Sequence, residues 1–545
     1  MRMLRIRNFW TVVTFGIAIT SSTATSSRVT NSSMVQHEIS TIDNSTGSVT
    51  VGSADGDVEL TVRHILHFSD VHLNLSESLN TSDSAKIPFA YGDDAPLNLL
   101  VSALDYAKEL IPDPDFFLYT GDHVVHGELS DEYLVETIKT NVEMMAKYYS
   151  TADNGTVLDI TAILGNADTS PDYTMNVTDP KKGINPTISL VSGAWEDTLP
   201  QSNLKWFNRR GYLSYDLDDN LMVITLNTLP YSPSHHPDTS HLPDPFKQFE
   251  WLNATLLELR NSSKFAYIAG HIPPIIDSYS GSPQWNETYI KTYKQIVSQY
   301  ADVIKAQFFG HIHSVEFRLP ISVSQAALIK QDGEEDNEDY GDSSQLVPLF
   351  MVAAISPIFE NNPAFMIWDF DANSYDILDF TVYGSNISNT SQELNWQPLF
   401  KASTEYGVNS LNTSQISGFV KHATANAELL EQYYYNSKAQ SRLQESCLDT
   451  TCQAQWLCSM YWWSTAADYK ACVALTKAAK TSPAAQQSAS SSAGSLLLTS
   501  AMLLLGGVAA TVAFVLVASR VCRRCGNKRG AKLMDTQRVH FAAIV

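Results

Sequence analysis

Residues 64–74 read HILHFSDVHLN. An apolar run, Ile65-Leu66-His67-Phe68, ends abruptly in Ser69-Asp70-Val71-His72. A short apolar run with polar bounds predicts a buried strand. Open α/β sheets place their ligands beyond the C-terminal ends of the strands. Residues i and i+2 of an extended chain point the same way, so the Asp70 carboxylate and the His72 imidazole converge. That mixed oxygen and nitrogen pair suits a divalent metal. Read alone, Asp-x-His is more often a solvated turn.

The pattern recurs. Residues 115–126, DFFLYTGDHVVH, deliver Gly121-Asp122, and residues 160–168, ITAILGNAD, deliver Gly165-Asn166. Residues 265–274, FAYIAGHIPP, deliver Gly270-His271, and residues 303–313, VIKAQFFGHIH, deliver Gly310-His311-Ile312-His313. Each run predicts a strand whose end presents Asp, Asn or His. A glycine before the polar residue lets backbone approach a ligand closely. Five such turns in one chain point to a metal centre rather than to chance.

The ordered set D-x-H, G-D, G-N, G-H and G-H-x-H resembles the calcineurin-like metallophosphoesterases. The resemblance implies an α/β fold, an α+β sandwich of two packed mixed sheets flanked by helices, with a dinuclear metal site at the strand ends. Carried over position by position, one metal takes Asp70, His72, Asp122 and His313. The other takes Asp122, Asn166, His271 and His311, with Asp122 as the bridge. Histidine-rich nitrogen and oxygen coordination suits zinc, with manganese or iron as alternatives, and the family favours two zinc ions.

Further motifs narrow the likeness. Arg209-Arg210-Gly211-Tyr212, the run Val223-Ile224-Thr225-Leu226-Asn227, the stretch DPFKQFEWLNATLLEL leading to GHIPP, and Trp396-Gln397-Pro398-Leu399-Phe400 with Glu405-Tyr406-Gly407 are similar to the acid sphingomyelinase branch. The likeness spans roughly residues 60–476. It implies a phosphoric diester hydrolase acting on a sphingomyelin-like lipid or a soluble phosphodiester, by in-line attack of a metal-bound hydroxide. In that branch a His four residues beyond the bridging Asp faces the phosphate. His126 takes that role here, hydrogen-bonding the phosphoryl group or protonating the leaving oxygen. Two departures stand out. The family reads Gly-Asn-His where this chain has Gly165-Asn166-Ala167, and one such group contributes ~10²–10⁴-fold to rate; His123, His235 and His236 are candidates to replace it. The saposin domain of acid sphingomyelinase itself is absent from residues 28–60, which hold no Cys.

The formal charge of −22 argues against nucleic acid as a partner. Arg2, Arg5 and Arg7, an apolar run from Phe9 to Ile19 and small residues after it predict a signal peptide over residues 1–27. Residues 28–60, rich in Ser, Thr and Gly, predict a flexible N-terminus. The metallophosphoesterase domain follows over 61–400, with a helix from Leu97 to Leu110, a second over 129–149, and a hairpin over 206–229. Residues 331–345, QDGEEDNEDYGDSSQ, read as a disordered acidic insertion. A helical subdomain over 401–480 holds Cys447, Cys452, Cys458 and Cys472, for which three disulfide connectivities exist; local spacing favours Cys447–Cys452 and Cys458–Cys472. A linker over 481–495 leads to a transmembrane helix over 496–519, long enough to span a bilayer. Arg520, Arg523 and Arg524 then place the tail, 520–545, in the cytosol. Sequons at Asn31, Asn44, Asn74, Asn80, Asn154, Asn176, Asn253, Asn261, Asn286, Asn386, Asn389 and Asn412 all precede that span. The expectation is a glycosylated, single-pass type I membrane protein. Its catalytic domain faces the exterior or the lumen of a lysosome- or vacuole-like compartment.

Two rival functions remain. One is a nucleotide or polyphosphate phosphohydrolase, because vacuolar endopolyphosphatases share the fold and also lack His after Gly-Asn; they usually lack the last His of G-H-x-H, present here as His313. The other is a non-catalytic surface binding protein, for which Ala167 is the sole support.

Overall fold

The apolar runs that precede the Asp, Asn and His motifs supply most of the central strands. A computed structural model describes residues 48–51, 58–75, 89–149, 161–321, 345–387 and 394–481. In chain order the strands are β1 (Ser48–Val51), β2 (Val58–Phe68), β3 (Leu73–Asn74), β4 (Ala95–Pro96), β5 (Phe116–Tyr119), β6 (Leu213–Asp216) and β7 (Leu221–Thr225). They continue with β8 (Phe265–Gly270), β9 (Ile304–Phe309), β10 (Glu316–Arg318), β11 (Leu349–Met351), β12 (Ala364–Asp371), β13 (Ile377–Gly384) and β14 (Gln397–Lys401).

One sheet runs β1-β2-β12-β13-β14, with β5 also on β2. The long β2 shares one edge between two partners: β1 pairs with its first residues, antiparallel, and β5 with its last, parallel. The second sheet runs β10-β11-β9-β8-β7-β6. Its four inner strands are parallel, and β6 and β10 close its edges antiparallel. Strands buried on both faces read as continuous apolar runs, as β8 does.

Alternation along each strand sorts side chains between layers. Ile65, Phe116, Leu118, Met366 and Trp368 face Val223, Tyr267, Ala306 and Phe308 of the other sheet in one shared core. Trp368 and Phe308 meet there at 4.8 Å between centroids. Leu66, Phe68, Phe117 and Tyr119 point the other way, onto helices Leu97–Leu110 and Asp131–Tyr149. Ile224, Ala266, Ile268 and Ile304 pack on helices Gln248–Asn261 and Glu287–Gln299. The order is therefore helix, sheet, sheet, helix.

Four expectations change. The flexible N-terminus is not irregular throughout, because Ser48–Val51 pairs with Val58–Thr61 and extends the sheet before residue 61. Residues 161–165 form no regular strand. Thr161 instead mimics a ladder, its hydroxyl accepting from Tyr119 N at 2.8 Å and donating to Tyr119 O at 2.7 Å. The hairpin begins later than 206, because Gln201–Arg210 is a helix that Gly211 ends in the left-handed region (φ 71°). Residues 401–480 are helical but do not form a separate core. Ile416, Phe419, Leu430, Tyr433 and Trp456 join the inter-sheet cluster, and Trp462 joins the outer one.

The helices are Thr413–Ala425, Ala427–Ser437, Thr450–Ser459 and Ala466–Thr481; Cys447–Cys452 ties the segment before the third to its first turn, and Cys458–Cys472 joins the third to the fourth. Among the described residues no helix is long and apolar enough to cross a membrane. The expected signal peptide, span 496–519 and tail 520–545 lie outside the described residues. So do residues 331–344 and the sequons at Asn31, Asn44, Asn80, Asn154 and Asn389. At Asn286 the side-chain nitrogen is buried, which makes that sequon unfit for a glycan in the folded chain.

Candidate metal centre

The strand ends meet at one place, and the backbone there is unusual. Asp70, His72, Asp122, His311 and His313 all have positive φ, between 46° and 70°. Non-glycine residues held in this region cost roughly 1–3 kcal/mol each and cluster at functional sites. Two glycines make the closure feasible. A Cβ on Gly165 would collide with the Asp122 carboxylate, and one on Gly310 with Ser69 and Asp70.

All seven residues named from the sequence come together, six fully or nearly fully buried and His311 partly so. Three groups could hold an ion: Asp70, His72 and His313; Asp122, His271 and His311; and His72, Asp122 and His126, which shares a residue with each of the others. His313 Nε2 lies 3.3 Å from Asp70 Oδ1 and 3.1 Å from His72 Nε2. His271 Nε2 lies 3.1 Å from Asn166 Oδ1. The Asp122 carboxylate stands between the groups, its Oδ2 3.4 Å from His72 Nε2 and 3.1 Å from His271 Nε2. The backbone N–H of His311 donates to both Asp70 oxygens at 3.0 and 3.1 Å.

The chemistry of this donor set fits divalent cations. His72 donates Nδ1–H to the Val124 carbonyl at 3.2 Å, and burial holds its pKa at about 3. Its Nε2 therefore carries a lone pair, yet it faces the Asp122 carboxylate. Lone-pair atoms this close in a buried site call for a cation among them. His311 is likewise kept at about 3 by burial, helped by His271. His271 donates Nδ1–H to the Thr120 carbonyl at 2.8 Å. Burial opposes its protonation, but Asp122 outweighs burial and raises it to about 9, the response of an imidazole to a site that demands positive charge. Asp122 is held well below the carboxylate range: burial works against this, and His271 and His72 prevail. Asp70 is lowered too, with His313 outweighing burial.

A second layer fixes these ligands, as outer partners of metal sites do. Asp168 accepts from Asp122 N (3.0 Å), Gly165 N (2.7 Å) and His123 N (2.7 Å), and so ties two ligand turns together. A directed chain also reaches Asp70. Trp368 donates its indole N–H to His67 Nδ1 at 3.2 Å, and His67 donates Nε2–H to Thr120 Oγ1 at 3.1 Å. Thr120 then donates to Ser69 at 2.6 Å, and Ser69 donates to Asp70 Oδ2.

A cavity of about 330 Å³ opens over the centre. Asp122, His126, Asn166, His311 and His313 line it, joined by Tyr173, Asp277, Tyr279, Ser280, Gln284, Ile312 and Phe359. His126 packs on His72 with ring centroids 4.4 Å apart. Its Nδ1 is 2.6 Å from Asp172 Oδ2. Burial opposes its charge, but Asp172 and then Asp122 raise it to about 9. Ala167 is fully buried, does not line the cavity, and donates its N–H to Asp122 Oδ1 at 2.8 Å. His123, His235 and His236 are not among the lining residues either, so none of them replaces the missing histidine. His123 lies in the core between Tyr119 and Trp195, and His235 turns to the Pro237 carbonyl. Sequence reasoning missed Asp168, Asp172, Gln284 and the relay from Trp368. Asp168 alone had a local signal, its place two residues after Asn166.

Residues 63–315 match the calcineurin-like phosphoesterase family, and residues 343–479 match the acid sphingomyelin phosphodiesterase C-terminal region. A sphingomyelinase phosphodiesterase D of Dictyostelium discoideum is 27% identical over 351 residues, 63% of this chain and 73% of its own. A cyclic GMP-AMP phosphodiesterase of Homo sapiens is 27% identical over 412 residues, 72% of this chain and 84% of its own. A dimetal phosphatase from Danio rerio overlays 61% of this chain and 98% of its own at a TM-score of 0.34 and 12% identity.

Proposed function

We infer, from the chain's membership of the calcineurin-like metallophosphoesterases with an acid sphingomyelinase-type C-terminal region, that its site hydrolyses phosphodiesters with a dinuclear centre, zinc by preference. Asp70, His72, Asp122 and His313 would hold one ion, and Asp122, Asn166, His271 and His311 the other. The observation that carries the reading is the buried Asp122 carboxylate lying between His72 and His271 at the floor of the cavity. Such a centre, when loaded, acidifies a water and offsets charge on phosphoryl oxygens.

The chain's own residues do the rest. Asp70, drawn tight by Ser69 and the His311 N–H, keeps the first group in register. His126 donates Nδ1–H to Asp172, which leaves Nε2 for the cavity. A proton on that nitrogen neutralises the oxygen of the departing alcohol. Ala167 offers no such group, so His126 is the one imidazole lining the cavity, among the described residues, that is not needed as a ligand.

The N-terminal pattern, the sequons and the two disulfides support a secretory route, since disulfides persist in oxidising compartments. We place the catalytic domain outside the cytosol, anchored by residues 496–519. The experiment that tests the chemistry is hydrolysis of bis(p-nitrophenyl) phosphate with zinc, beside His126→Ala. The variant loses ~10²–10⁴-fold in kcat and keeps its zinc. An unchanged kcat removes His126 from the assignment.

A further inference from the structure

The histidines of the centre do not all turn the same nitrogen toward it. His72, His271 and His313 bring Nε2 to the carboxylates of Asp122 and Asp70. His72 and His271 give Nδ1–H to backbone carbonyls, which leaves Nε2 for an ion. His311 is arranged the other way round. Its Nε2 lies 3.0 Å from Oε1 of Gln284. The far end of that amide decides which atom is the donor. Gln284 Nε2 donates to Asp277 Oδ2 at 2.9 Å, and a carboxylate only accepts. The amide oxygen is therefore the atom that faces His311, and His311 Nε2 carries the hydrogen. In a neutral imidazole the other nitrogen then holds the lone pair, so His311 meets its ion through Nδ1.

Gln284 is held in place from several sides. The next residue, Trp285, is fully buried, and its indole donates to the Ile272 carbonyl at 2.8 Å. The loop closes through Asp277 N to Ser282 O at 2.9 Å and Gln284 N to Ile275 O at 2.8 Å. Two side chains tie it to its surroundings: Ser278 donates to Glu316 at 2.8 Å, and Lys438 donates to the Tyr279 hydroxyl at 2.5 Å. Asp277, which is buried, also accepts from the N–H groups of Tyr279, Ser280 and Ser282 and from the Ser280 hydroxyl. Those four donors already fill the carboxylate, so the turn closes without the amide. What the amide adds is a fixed acceptor for His311. The line Asp277, Gln284, His311 has the form of a carboxylate–histidine–metal triad with an amide inserted, an arrangement that sets the tautomer and ring orientation of a ligand.

We propose that Gln284, oriented by Asp277, is the positioning residue that fixes His311 as an Nδ1 ligand of the ion it shares with Asp122, Asn166 and His271. The proposal rests on the dinuclear reading of the centre and adds a residue outside the ligand set. Gln284 is only half-buried, so Gln284→Leu removes the acceptor without opening the core. The test titrates zinc into the chelator-stripped full chain against a competing chelator, for the unmodified protein and the Leu variant. The variant holds one of the two ions about 10–100-fold more weakly, the scale for loss of an outer partner, and the other as before. Its thermal midpoint without zinc stays with that of the unmodified protein. Nitrogen-15 spectra of the histidine-labelled, zinc-loaded protein give the signature that a merely structural role would not move. One imidazole is bound through Nδ1, and its Nε2–H exchanges with water faster in Gln284→Leu, while the N–H groups of His72 and His271 are unaffected. Unchanged affinity for both ions, equal weakening of both with a lowered midpoint, or no imidazole bound through Nδ1 each overturns the proposal and leaves the dinuclear reading standing. Fewer than two zinc ions on the unmodified protein removes that reading and the proposal with it.

Discussion

Replacing His67 with Phe probes the relay behind Asp70 and gives an outcome that depends on pH. The phenyl ring keeps the apolar contact with Phe308, now 5.7 Å between centroids, but accepts nothing from Trp368 and donates nothing to Thr120. Stranding the buried indole N–H costs roughly 2 kcal/mol at pH 7. Acid reverses the order. Burial lowers His67 to about 3, while the unfolded chain titrates it near 6.5. Below 6.5 the unfolded state therefore binds a proton that the folded state refuses, and stability falls with pH until about 3. Between pH 7 and pH 4 this single group costs the native protein roughly 3 kcal/mol, and the Phe variant is spared that loss. Setting the two effects against each other, the curves cross at about pH 5. His72, His123 and His311 behave alike in both proteins and cancel. Urea unfolding midpoints at pH 7, 6, 5 and 4 measure the difference. A gap that stays constant across this range refutes the reasoning, because His67 would then titrate equally in both states.

Other substitutions separate the roles around the centre. Asp122→Asn removes the shared charge; zinc content measured by plasma emission falls and turnover drops at least ~10²-fold, whereas full zinc with full turnover contradicts the bridging role. Asp172→Asn preserves shape but takes the carboxylate from His126; kcat falls ~10–100-fold at constant zinc content, and a parallel loss of zinc shows that Asp172 acts on the metal ligands instead. Asp168→Asn sets an amide N–H against the His123 N–H; the thermal midpoint drops by the equivalent of about 1–3 kcal/mol and zinc dissociates faster, and an unmoved zinc off-rate means Asp168 does not tie the ligand turns.

The four strand ends at β2, β5, β8 and β9 were legible because one signal served two purposes. An apolar run marks a buried strand, and its abrupt end in Gly, Asp or His marks a turn that must leave the core. The segment before Asn166 carried the same signal without becoming a strand, since the Thr161 hydroxyl supplies hydrogen bonds that a ladder would have supplied. β1 was illegible for the opposite reason: its composition is that of a loop, and it is ordered by the free edge of β2. Residues 206–210 lie in a helix and do not alternate in polarity, and the arrest of that helix at Gly211 was the usable clue. His67 looked like one more member of an apolar run. Its importance comes from Trp368, some 300 positions later, and no local pattern announces such a pairing. Asp172, Tyr279, Gln284 and Phe359 sit on loops, where sequence carries little geometry. Ala167 was conspicuous as a departure from the family, but only the structure shows that its side chain is packed away from the cavity.

The central claim is that two buried ligand groups sharing Asp122 make one working dinuclear site. The measurement that tests it most directly is a zinc titration of chelator-stripped protein, with bis(p-nitrophenyl) phosphate hydrolysis and bound zinc followed together. The account predicts that turnover appears with zinc, saturates at two ions per chain, and is absent from Asp122→Asn at every zinc concentration. Turnover by stripped protein, or saturation unaffected by loss of the Asp122 carboxylate, would contradict it.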